Sequence, residues 1–84
     1  MTEARQAAIQ FDYSALLGLM REKHYTQESL ANAANMGLTQ LSQKLNGRYP
    51  FKQSDIHSIS NVLGIYPQDI GRYFFTLRVE KTQQ

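Results

Sequence analysis

The 84-residue chain has no cysteine, only two prolines and two histidines, and no long apolar run. Without cysteine there is no disulfide and no thiolate metal site, and a reducing cytoplasm is the expected location. Nothing approaches the roughly 18 consecutive apolar residues of a membrane span, and no charged-then-apolar leader opens the chain, so neither a span nor a secretory signal is expected. A glycine-rich phosphate loop is missing. His24 and His57 lie far apart, with no carboxylate spaced to share a metal with them. Ser54, Asp55 and His57 are the letters of a hydrolytic triad, but i, i+1 and i+3 on one helix do not align a nucleophile, a base and an orienting acid. The reading is therefore non-enzymatic, with no cofactor, no metal and no small-molecule substrate. Internal repeats, low-complexity tracts and linkers are also lacking.

What is present suffices for one folded unit. Hydrophobic residues make up 42% and charged residues 19%, a balance unlike that of disordered chains. At 9.6 kDa the chain can bury a single core. We read residues 1–84 as one domain, with 1–10 as an arm and 75–84 as a tail or dimerisation strand. Acid is missing from one stretch. Residues 36–52 carry Lys44, Arg48 and Lys52 and no carboxylate, whereas acids and bases nearly balance on either side, so the whole net charge of +2 comes from this region. A local cationic excess on a polar element suits an anionic partner.

Hydrophobic spacing predicts an all-α fold. A first helix is expected from Tyr13 to about His24 with Asp12 as N-cap and Leu16, Leu17 and Met20 inward. Gly18 in its middle requires either close packing or support from tertiary contacts. Thr26 caps a second helix with Leu30, Ala31 and Ala34 on one face. Asn35-Met36-Gly37 interrupts the pattern with residues that tolerate positive φ. Leu38, Leu41 and Leu45 then form the stripe of a third helix, whose opposite face carries Thr39, Gln40, Gln43 and Lys44 and which stops at Asn46-Gly47. Pro50 keeps Tyr49 out of a helix. A fourth helix spans Gln53 to Leu63, with Ile56, Ile59 and Leu63 inward and Gly64 as its stop, and Phe51 is read as core. Tyr66-Pro67 opens a short fifth helix. Phe75, Leu77 and Val79 then alternate with polar residues like a strand, which needs a partner. That partner is either the Ile9–Phe11 segment or the same strand of a second copy.

The Thr26–Gly47 segment resembles the helix-turn-helix of phage repressors and Cro proteins, the XRE or Cro/repressor type. The resemblance is carried by Thr26-Gln27-Glu28, Leu30-Ala31, the turn, and Thr39 through Gly47. It continues through Arg48-Tyr49-Pro50-Phe51 and the Ile56, Ile59, Leu63, Gly64 frame. The chain departs from the family pattern at Asn35, where glycine is usual, at Lys44, where an aliphatic residue is commonest, and at Lys52, where serine or threonine often caps the next helix. The resemblance implies a compact five-helix lambda-repressor-like bundle, with room for a short C-terminal β-strand.

It also implies a sequence-specific regulator of transcription, a small Cro-like bacteriophage repressor holding a palindromic double-stranded DNA operator as a homodimer. With the third helix in the major groove, Thr39, Gln40 and Gln43 would read base edges. Gln27, Lys44, Asn46, Arg48 and Lys52 would meet phosphates. Two copies would assemble through the fifth helix or through Phe75, Leu77 and Val79. The rival reading is an antitoxin or adaptor module whose main partner is a protein, since one fold hosts both roles.

Overall fold

The computed structural model describes residues 10–78, so expectations about the N-terminal arm, Val79 and the last residues lie outside the described part. Within it, five α-helices follow one another: α1 (Ser14–Glu22), α2 (Gln27–Ala33), α3 (Leu38–Leu45), α4 (Gln53–Leu63) and α5 (Ile70–Phe74), the last entered through a 3₁₀ turn at Pro67–Asp69. The fold is all-α, as the spacing predicted. α2 packs on α3 and α4, and α5 packs on α1 and α4. The core they enclose is built from Leu16, Leu30, Leu41, Ile59, Leu63 and Phe74, each almost fully buried.

The helix starts follow from local hydrogen bonding. The Thr26 hydroxyl accepts from the Ser29 N–H at 3.0 Å, and the Thr26 N–H donates to Ser29 Oγ at 2.9 Å. Each residue satisfies one orphan donor of the other. Asp12 acts one residue earlier than expected: its carboxylate accepts from both the N–H and the hydroxyl of Ser14, while Tyr13 occupies the boundary. Those two bonds hold the Asp12 carboxyl below its usual range.

The first helix ends at Glu22 rather than His24, because His24 adopts a left-handed φ of 65°. Its N–H returns to the Arg21 carbonyl, and the Tyr25 N–H to that of Met20. This is the paired closure of a Schellman motif. The same closure ends α2, with Asn35 at φ 60° and the Met36 N–H on the Ala31 carbonyl. Asparagine thus takes the turn position that the resembled family gives to glycine, and Gly37 instead starts α3 in an extended conformation. Gly18 has no close neighbour: a Cβ built there would meet nothing within 4 Å. Burial of Leu16 and Met20 supports that helix, not a close approach at its glycine.

The ends of the described chain meet. Phe11 and Leu77 form an antiparallel bridge, with the Asp12 N–H on the Thr76 carbonyl at 2.7 Å and the Arg78 N–H on the Gln10 carbonyl at 2.9 Å. The C-terminal run thus pairs within the chain, with one of the two partners left open by the sequence. A run of aromatic edges continues inward from it. Phe75 meets Phe11 edge-on at 5.6 Å, Tyr13 meets Phe51 at 5.2 Å, and Phe51 meets Phe74 at 5.3 Å. Phe51, expected as core, is half-buried and packs against the core from its edge.

Candidate functional site

α3 presents a polar side to solvent. Thr39 and Gln40 are exposed and Gln43 is half-buried at its edge, so the structure keeps the three expected base-reading residues together on accessible surface. Leu38 does not join the core stripe: it is 46% exposed. Lys44 does the reverse. The sequence placed it outward among phosphate-facing residues, yet only 9% of it is accessible. At 3.6 residues per turn Leu38 and Lys44 flank Leu41 at about 60° on either side. Buried Leu45 lies only about 20° from Leu38 around the axis, so Leu38 owes its exposure to its place as the first residue of α3, while Lys44 lies near the other end, where Asp55 of α4 meets it.

A lysine can occupy that position because Asp55 meets it. The Lys44 ammonium forms an ion pair with Asp55 Oδ2, and the same oxygen accepts from the Lys52 N–H at 2.9 Å. Asp55 sits in the first turn of α4, so one carboxylate closes the start of that helix and anchors α3 to it. Burial raises the Asp55 pKa, but the bonds from Lys44 and the Lys52 backbone, with the charges of both lysines, outweigh it and hold the carboxyl below its ordinary range. Sequence reasoning did not assign Asp55 to the site. Its signal was an acid at the third helical position after an extended boundary residue, but the lysine it serves lies eleven residues away, out of reach of local pattern.

The other expected phosphate residues distribute unevenly. Arg48 and Lys52 are exposed on the loop between α3 and α4, Asn46 is exposed just past the end of α3, and Gln27 is half-buried at the start of α2. Tyr49 is 54% exposed. Phe75 and Leu77, expected at a dimer contact, are 51% and 59% exposed beside the intrachain bridge. The letters Ser54, Asp55 and His57 do not converge: Asp55 is engaged by Lys44, and His57 Nε2 lies 3.3 Å from Asn61 Nδ2. Among the described residues no helix is long and apolar enough to cross a membrane.

The described residues thus form an all-α unit that presents a polar helix beside a cationic loop. The chain belongs to the DUF739 family, described as a protein of unknown function, whose profile it matches over residues 9–77. It is similar to the modulator of repression (MOR) of the temperate bacteriophage TP901-1 from Lactococcus lactis, known from a solution structure. The two are 41% identical, with 79% of this chain and 89% of that one covered and a TM-score of 0.68. None of the curated proteins matches.

Proposed function

We propose that this chain is a small phage regulator that modulates repression, and that it acts by contact with a protein of the repression system. The observation that carries the role is the 41% identity, over most of both chains, to the modulator of repression of a temperate phage. The protein-contact mode draws support from Lys44. The one cation on α3 is spent on Asp55, so the outward side of that helix offers amides, a hydroxyl and Leu38 without charge. Uncharged, partly apolar surface fits a protein partner better than a phosphate backbone.

A second reading keeps Thr39, Gln40 and Gln43 as base-reading residues on a duplex, with Gln27, Asn46, Arg48 and Lys52 on phosphates and a homodimer formed through Phe75 and Leu77. Its support is the accessibility of the three α3 residues and of the two apolar side chains. In both readings the chain is a non-enzymatic binder.

The test pairs a repressed phage promoter and its repressor with this chain in a reporter strain, alongside mixing of purified chain and repressor on a sizing column. The expected result is a changed level of repression and a shared elution peak. Unaltered repression, with the chain binding operator duplex by itself and a log–log salt slope of about −0.9 for each phosphate neutralised, would establish the second reading instead.

A further inference from the structure

A groove of about 450 Å³ lies between α3 and the start of α4, lined by Gln40, Gln43, Tyr49, Pro50 and Lys52 over the Lys44–Asp55 pair. Its charge is one-sided. The acid it contains, Asp55, is engaged by Lys44 and by the Lys52 N–H. Lys52 and the neighbouring Arg48 are exposed, and residues 36–52 contribute no carboxylate to oppose them. Around that charge stand two carboxamides able to donate and an apolar wall formed by a tyrosine ring and a proline.

We propose that this groove receives an acidic segment of the partner protein, its carboxylate held by Lys52 and the glutamine amides and a neighbouring apolar side chain laid against Tyr49 and Pro50. The inference rests on the protein-partner reading above and names the surface that serves it. Charge complementarity selects the occupant. Two exposed cations would neutralise about two phosphates in each copy, a modest log–log salt slope near −1.8. A carboxylate next to an apolar anchor needs only one cation, a few donors and a ring face.

The experiment titrates the isotope-labelled full chain with three probes: a short amphipathic peptide of glutamates and leucines, its glutamine-for-glutamate counterpart, and a duplex of mixed sequence. Amide shifts from the acidic peptide should gather at Gln40–Gln43 and Tyr49–Asp55. Affinity should fall about tenfold for the glutamine peptide, and about tenfold for Lys52→Glu, whose own spectrum reports that it is folded. Shifts gathered at Phe75 and Leu77, or no shifts, overturn the groove. Tighter binding of the duplex than of the acidic peptide at these same residues overturns it in favour of nucleic acid. Lys52→Glu and Tyr49→Ala chains are also carried into the reporter and sizing assays. If both still bind the repressor and alter repression, the groove falls and the protein-partner reading stands. If the unsubstituted chain binds no repressor, that reading itself falls.

Discussion

An ammonium at the edge of an apolar core loses most of its hydration, and at Lys44 the carboxylate of Asp55 replaces what water supplied. Asp55→Asn keeps an oxygen for the Lys52 N–H but removes the charge that Lys44 needs. Breaking a buried pair costs about 3–5 kcal/mol, and because both side chains here keep slight exposure we expect roughly 2–3 kcal/mol in denaturant unfolding. The pH dependence follows from the lowered Asp55 pKa. A carboxyl that releases its proton more readily folded than unfolded adds stability above its ordinary value of 3.8, and that contribution is lost as pH falls through the lower folded value. Acid titration of stability should therefore show a loss below about pH 4 that Asp55→Asn reduces. Gly18 allows a gain. It sits inside α1 with open space where a Cβ would go, so Gly18→Ala should stabilise by about 1 kcal/mol, read as a higher denaturation midpoint. An unchanged midpoint would show that α1 is not constrained by its glycine.

At the level of elements, α1 to α4 end in one way, with a residue at positive φ and a backward bond from the N–H that follows. His24, Asn35, Gly47 and Gly64 occupy that position. The Arg48 N–H on the Gln43 carbonyl and the Ile65 N–H on that of Ser60 complete the last two closures. Glycine enters this conformation freely and asparagine with modest cost, but histidine pays about 1–2 kcal/mol. Glycine loses roughly 0.5–1 kcal/mol of that advantage through its freer unfolded chain. His24→Gly should thus stabilise by about 0.5–1 kcal/mol, raising Tm by a few degrees. A drop in Tm would mean that the His24 side chain contributes something beyond its backbone shape. The helix starts were readable because caps act over three residues. The end after α1 was harder to place, since histidine announces a left-handed turn less plainly than glycine or asparagine does.

Across the whole molecule, the Phe11–Leu77 bridge and the aromatic contacts beneath it tie the two ends of the described chain to α5 and the loop before α4. Phe11 stands at their junction, touching Phe75 and lying 6.5 Å from Tyr13. Full truncation of a buried phenylalanine costs about 3–5 kcal/mol, and for half-buried Phe11 we expect about 2 kcal/mol. Hydrogen exchange gives the sharper measurement. In Phe11→Ala the Asp12 and Arg78 amides should lose protection while those inside α4 keep theirs, and uniform loss would show that the bridge is part of the global unfolding unit.

Residue spacing alone determined the all-α fold, the bounds of α4, the Thr26 cap, the inward set of Leu16, Leu30, Leu41, Ile59 and Leu63, and the polar side of α3 at Thr39, Gln40 and Gln43. Each of these depends on periodicity or on bonds a few residues long, which a linear reading can follow. Only the tertiary structure decided that Lys44 turns inward and Leu38 outward, that Asp55 neutralises the helix, and that the C-terminal run meets Phe11 of its own chain. The reason is physical: what covers each end of α3 depends on the elements packed against it, and Asp55 reaches Lys44 only once α4 has been brought alongside.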